Sequence, residues 1–382
     1  MSRRVLIVPD KFKGTLSARS AADAIALGWG AVHPLDHLEL LPMSDGGDGF
    51  GELLTELLHA ETRALATVDA AHRPRTAAWG WDPSTCTAII ESTQSIGLAA
   101  LPAGEFHPFQ LDSRGLGETI AAALQQGARR LIIGLGGSAT NDGGFGMVRA
   151  LGGRMVDAAG VGIERWPELT RLAKWVLPEH RMAQIEVIAA CDVENPLLGA
   201  NGCSRVYGPQ KGLTTADFPA VEAALGRLAE VTRTQIGHDV AAEPGSGAAG
   251  GLGFALRAFL GGRLESGFDI FAKLSGLPAK IAAADLILTG EGRIDRQTLM
   301  GKGTGRVAQL AKAAGKPCFG LAGMVESAPG VPPAQRLFNG TYAIVPELAT
   351  VAVAKAEAGR WLEELARRVA RAVGSTVALS PA

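Results

Sequence analysis

Three observations predict an α/β protein built on a parallel, doubly wound sheet. Short apolar strands recur along the 382 residues, Ala- and Leu-rich helical stretches lie between them, and glycine-rich polar loops follow several of the strands. Strand, helix, strand is the signature of parallel pairing, because the crossover helix returns the chain to the same end of the sheet. The 50 glycines gather at loop positions rather than in a period, so many tight, ligand-facing turns are expected.

The expected strands, in order, are residues 5–8, 39–41, 87–90, 131–133, 185–190, 286–288, 318–321 and 342–345. Residues 18–29, 116–126, 218–237 and 305–314 carry apolar side chains near helical spacing, as does a last helix over roughly 351–373. In that helix Trp361, Leu365 and Val369 stand at i, i+4 and i+8, a stripe read as core rather than as a partner surface. The beginning and the end of the chain both read as βαβ units, whereas the middle holds longer loops. The expected organisation is therefore a discontinuous domain, 1–72 with 276–382, interrupted by a second α/β domain over 73–275. No low-complexity linker marks the seams, which suits two crossings between domains better than beads on a string.

With 47% hydrophobic residues the chain can bury more core than one domain usually holds. Its formal net charge is −1 and its basic residues are dispersed, so no chain-wide attraction to nucleic acid or an anionic membrane is expected. Met1-Ser-Arg-Arg-Val-Leu-Ile-Val-Pro9 has too short an apolar run for a signal peptide, and no run reaches membrane-spanning length. Cys86, Cys191, Cys203 and Cys318 form no CxxC pair and are expected to be buried free thiols. A cytoplasmic protein is the expectation.

The densest polar site follows strand 286–288, where Thr289-Gly-Glu-Gly-Arg-Ile-Asp295 leads to Gly301-Lys302-Gly303. Glycines let backbone N–H groups approach an anion, carboxylates hold Mg²⁺ or take a proton, and Arg293 and Lys302 neutralise phosphate. Pro9-Asp10-Lys11-Phe12-Lys13-Gly14 follows the first strand in the same way, with Asp10 for a metal or hydroxyl and Lys11 and Lys13 for an anion; an ordinary capped turn explains it equally well. Ser44-Asp45-Gly-Gly-Asp48-Gly49 offers two carboxylates around a glycine pair but lacks the regular ligand ladder of an EF-hand. After strand 131–133, Gly134-Leu-Gly136-Gly137-Ser138-Ala-Thr-Asn141-Asp142-Gly-Gly144 is rich in donors that wrap phosphates. Gly134, Gly136 and Ala139 also match the loose G-x-G-x-x-A dinucleotide fingerprint with Asp157 further on, which raises a nicotinamide oxidoreductase as the alternative; the loop delays the next helix to about Phe145, where the fingerprint requires it within the glycines. Asp192 ends an apolar strand, as a catalytic base or a loop-capping acid, and Lys211 lies between glycine-bearing turns. A P-loop, the protein-kinase signatures, a nucleophile elbow and a zinc helix are all missing from the sequence.

Taken in order, these strings resemble the glycerate kinase family. The likeness runs from Pro9-Asp-Lys-Phe-Lys-Gly14 through Ser44–Gly49, Ser113-Arg-Gly-Leu-Gly-Glu118, Gly136–Gly144, Cys191-Asp-Val-Glu-Asn-Pro-Leu197, Gly208-Pro-Gln-Lys-Gly212 and Gly247-Ala-Ala-Gly-Gly-Leu-Gly253 to Thr289–Asp295 and Ala322-Gly323. It departs at Lys11, Ser44, Asp48 and Met300 while keeping the acidic and glycine framework. The resemblance implies a Rossmann-like domain with a second α/β domain inserted, and transfer of the ATP γ-phosphoryl group to a hydroxyl of D-glycerate with Mg²⁺, giving 2-phosphoglycerate. Phosphorylation at the 3-hydroxyl is the close alternative, and a non-catalytic sugar-acid-binding regulator the distant one. The expected catalytic residues are Asp192 as base, with Asp10 and Asp295 as rivals, and metal is expected at Asp45, Asp48 or Asp295. Lys11, Lys13, Lys211, Arg293, Ser113 and Arg114 are expected to bind substrate. The nucleotide falls to Gly136, Gly137, Ser138, Asn141, Asp142, Gly290, Glu291 and Lys302. A monomer or small homo-oligomer is expected.

Overall fold

In the computed structural model, strand β1 (Arg4–Pro9) is buried along all but its first residue, as Val-Leu-Ile-Val requires of a strand covered on both faces. It pairs in parallel with β2 (His37–Leu40) on one side and β11 (Leu286–Ile294) on the other; β12 (Cys318–Val325) and β13 (Gly340–Val345) extend the sheet beyond β11. The order β13-β12-β11-β1-β2 is parallel throughout and reverses between β1 and β11, which is the doubly wound arrangement with its switch point at those two strands. Helix Ala18–Gly30 packs on helix Ala358–Thr376, and a Cβ at Gly28 would lie 2.2 Å from the Glu363 carbonyl oxygen. The chain's last helical stretch is two helices, Val351–Ala356 and Ala358–Thr376, broken where Glu357 leaves helical geometry. Leu365 and Val369 are fully buried and Trp361 packs partly buried against the same core, so the stripe is core.

The other sheet has the order β10-β9-β6-β5-β4-β3. Strands β5 (Thr87–Glu91), β6 (Arg130–Gly134), β9 (Glu186–Ala190) and β10 (Arg263–Glu265) run parallel, while β3 (Glu61–Val68) and β4 (Pro74–Asp82) form an antiparallel hairpin on its edge. A separate hairpin joins β7 (Arg154–Asp157) to β8 (Leu172–Val176). Residues 2–44, 46–47, 49–177, 185–326 and 337–376 are described.

The chain divides into two units, Met1–Asp45 with Phe268–Ala382, and Gly46–Gly267, each with its own buried core. The seams lie at 45/46 and 267/268 rather than at the expected 72/73 and 275/276. The reason is local: a cut at 72/73 would split the β3–β4 hairpin at its turn, and helix Phe50–Leu57 packs on β4, where a Cβ at Gly80 would lie 2.3 Å from Thr55 Oγ1. All eight expected strands are present. Cys203 and Cys318 are buried, whereas Cys86 and Cys191 are only partly so. Burial pushes the Cys203 thiol up to about 11, which makes it inert. Among the described residues no helix is long and apolar enough to cross a membrane.

Candidate functional site

In the unit Gly46–Gly267, strands β5, β6 and β9 deliver the chain at their C-terminal ends to Glu91, Gly136 and Asp192. A cavity of about 870 Å³ opens there, lined by Glu91, Thr93, Gly136, Gly137, Ser138 and Lys211 among others. Gly137 takes φ +62°, and the Ser138 hydroxyl donates to the Ala249 carbonyl at 3.1 Å. Ala249, Gly250 and Gly251 hold φ of +52°, +71° and +94°, a run of left-handed residues that turns the chain tightly beneath this loop. A Cβ at Gly250 would lie 2.0 Å from the Thr140 carbonyl, so glycine is the one residue that fits. Ala249 has no such freedom and costs about 1–2 kcal/mol in that conformation, strain concentrated at the cavity wall.

Lys211 reaches the cavity from the end of helix Cys203–Lys211; it is 6% exposed, and its ammonium donates to the Thr140 carbonyl at 2.6 Å. Burial lowers its pKa to about 8, partly opposed by the fields of Cys203 and Asp142. Asp142 is fully buried; its Oδ2 accepts from the Ser113 N–H, the Ser113 hydroxyl and the Gly146 N–H, and its Oδ1 from the Gly144 N–H. Burial raises its pKa, the Asp112 charge adds to that, and these hydrogen bonds oppose it. Asn141 is buried beside it and donates to Ser204 Oγ at 2.9 Å. Ser113, Asn141 and Asp142 thus hold the loop from behind. Arg114 is exposed and bonds Glu118.

Asp192 follows β9 and is half-buried. The Gly46-Gly47 turn sits on it: a Cβ at Gly46 would lie 3.1 Å from Asp192 Oδ2, and one at Gly136 would lie 3.2 Å from Gly47 Cα. Glu91 accepts from the Gly49 and Gly51 N–H groups and from the Thr93 hydroxyl, and so caps a helix whose own N-cap is glycine. Sequence reasoning missed Glu91, although a carboxylate closing an apolar strand is the same signal that marked Asp192. Asp45 and Asp48 lie outside the described residues.

In the unit Met1–Asp45 with Phe268–Ala382, Asp10 stands just past β1, its N–H donating to the Gly290 carbonyl at 2.8 Å. It is 9% exposed, and a Cβ at Gly303 would lie 3.8 Å from its Oδ2, so the carboxylate sits by the N-terminus of helix Thr304–Ala313. A Cβ at Gly290 would strike the Leu321 carbonyl at 2.2 Å, which keeps β11 and β12 close at this point. Glu291 accepts from the hydroxyls of Thr298 and Thr304, neither of which was foreseen. Asp295 is a helix N-cap, its Oδ1 accepting from the N–H groups of Gln297 and Thr298 with Thr298 answering in a capping box. Lys13, Arg293 and Lys302 are exposed and Lys11 half-exposed. The switch point therefore gathers Asp10, Lys11, Lys13, Gly290 and Glu291, whereas Asp295 is engaged in the turn itself.

The oxidoreductase fingerprint does not survive the geometry. Helix Phe145–Ala150 starts only after the nine-residue loop Gly136–Gly144, and Asp157 lies in the separate β7–β8 hairpin, paired with Arg171.

A model of the glycerate kinase family matches residues 5–374. A glycerate kinase of Bacillus subtilis (strain 168) is 36% identical over 373 residues, covering 97% of both chains. A glycerate 2-kinase of Escherichia coli (strain K12) is 38% identical over 380 residues, covering 98% of each. A crystal structure from Salmonella typhimurium LT2, provisionally named glycerate kinase 2, superposes with a TM-score of 0.86 at 36% identity, over 99% of this chain and 100% of that one.

Proposed function

Since this chain belongs to the glycerate kinase family, we propose that it transfers the γ-phosphoryl group of ATP to the 2-hydroxyl of D-glycerate. The observation that carries the reading is the 870 Å³ cavity, large enough for a nucleoside triphosphate, with the Gly136–Ser138 loop and the buried cation of Lys211 on its wall. Phosphoryl transfer of this kind asks the protein for positioning and charge neutralisation rather than covalent chemistry. Backbone N–H groups and one buried ammonium meet that need, because a fixed charge acts on phosphate oxygens without reorganising.

Asp192 is the proposed base for the glycerate hydroxyl. It stands at the end of a buried strand, and the Gly46 turn lies close to its carboxylate. Lys11, Lys13, Arg293 and Lys302, in the unit Met1–Asp45 with Phe268–Ala382, are the proposed cations for an anionic group bound in that unit. Asp295, occupied as a helix cap, is assigned to holding its turn rather than to catalysis. Mg²⁺, when bound, neutralises phosphate charge and is satisfied by one or two protein carboxylates plus water. Asp10 and Glu291, hard oxygen donors at the switch point, suit that donor set.

The test is ADP release from ATP and Mg²⁺ with and without D-glycerate. Glycerate-dependent ADP is the expected result. Glycerate that raises the melting temperature with no turnover would instead make the chain a binding protein.

A further inference from the structure

A second, smaller cavity of about 160 Å³ lies in the unit that contains the switch point. Its lining comes from the turn after β1 (Lys13, Thr15), from β11 (Gly292, Arg293), from β12 (Gly323) and from helix Val351–Ala356 (Lys355). The walls are apolar, with Ile344, Val345, Val351 and Ala354, and the charged members are all basic. Among the described residues, no carboxylate lines the cavity and none of Lys13, Arg293 and Lys355 forms an ion pair. The floor is bare backbone: a Cβ at Gly292 would lie 3.4 Å from the Lys13 nitrogen, and one at Gly323 would lie 2.6 Å from the Gly292 carbonyl oxygen.

Three cations with no ion-pair partner among the described residues, set over apolar walls, concentrate positive potential on one spot. At about 30 Å³ per water, the volume admits about five water-sized groups, enough for a small acid or one phosphoryl group and too little for a nucleoside. We propose that Lys355 completes, with Lys13 and Arg293, a binding site for one small anionic group, a carboxylate or a phosphoryl. The proposal rests on the kinase reading, whose two substrates carry one of these groups each: D-glycerate the carboxylate, ATP the phosphoryl.

The experiment compares the full-length protein with its Lys355→Gln and Lys355→Arg variants. KM is measured for D-glycerate and for ATP, and calorimetry gives the Kd of each ligand alone. Replacing one charge-assisted contact is expected to weaken one ligand about tenfold, the loss falling on KM and Kd rather than on kcat, with substantial rescue by Lys355→Arg and an unchanged melting temperature. A loss confined to D-glycerate identifies the bound group as carboxylate, and one confined to ATP as phosphoryl. Unchanged affinity for both, equal losses for both, or no binding of either ligand to the wild type overturns the site. Should the wild type bind but not turn over, the kinase reading fails while the calorimetric comparison still decides the site.

Discussion

The Leu135–Gly144 loop of one unit and, in the other, the Asp10–Gly14 turn with the Gly290–Lys302 segment, which begins inside β11 and runs past its end, all lie on the C-terminal side of parallel strands, yet they handle charge in opposite ways. In the first, Ser113, Asn141 and Asp142 are fully buried, and Lys211 nearly so, with its ammonium on a backbone carbonyl. In the second, Lys13, Arg293 and Lys302 are exposed, Lys11, Glu291 and Asp295 are half-buried, and Asp10 alone of these is buried. Buried polar groups must be satisfied internally and so become framework; exposed charges cost the fold little and are available to a ligand. A motif rich in glycine and charge is therefore a mixture of scaffold and site, and burial separates the two.

The largest effect expected is at Asp192. Asp192→Asn should lower kcat about a thousandfold with the melting temperature and ATP affinity kept; near-normal turnover eliminates this carboxylate as base and shifts attention to Asp10. Next is Gly250→Ala, which meets both the 2.0 Å approach to the Thr140 carbonyl and a φ of +71°. A loss of about 3 kcal/mol in denaturant unfolding is expected, and a neutral result would mean that the turn beneath the loop is not fixed.

Ser113→Ala and Arg293→Gln divide scaffold from site. The first removes a donor to Asp142 and the acceptor of the Met147 N–H, and should cost about 1–3 kcal/mol of stability. The second should leave stability within about 0.5 kcal/mol and weaken substrate binding about tenfold. If Ser113→Ala acted on KM alone and Arg293→Gln on stability alone, the comparison would be reversed.

The subtlest effect is in pH. Lys211 loses its proton at about 8 in the folded protein, against 10.5 as its ordinary value. Between those two values the unfolded chain binds more protons, so the contribution of Lys211 to stability increases with pH there; below about 8 both states are charged and the burial cost is fully present. Catalysis runs the other way: kcat/KM should fall above pH 8 as the cation is lost, and Lys211→Arg, whose guanidinium stays charged, should not show that limb. A fall of the same shape in Lys211→Arg assigns it to another group.

Much of this was legible in the sequence, for reasons that differ from place to place. Strands β1, β5, β6, β9, β11 and β12 are buried on both faces and read as apolar runs. Strand β3 reads Glu-Thr-Arg-Ala-Leu-Ala-Thr-Val and is largely exposed, with neither a run nor a clean alternation, and missing it displaced the domain seam. The residue types at the site were likewise readable, but their burial was not: nothing in Asn141-Asp142 says that helix Ala248–Leu260 and Ser113 close over it. Asp295 followed by Thr298 was a readable capping box, yet its place in a charged motif drew it toward catalysis.

The most direct measurement is the identity of the product. NMR of the phosphoglycerate formed from ATP and D-glycerate should show phosphate on the 2-hydroxyl. Phosphate on the 3-hydroxyl, or no phosphoglycerate at all, contradicts the proposed reaction.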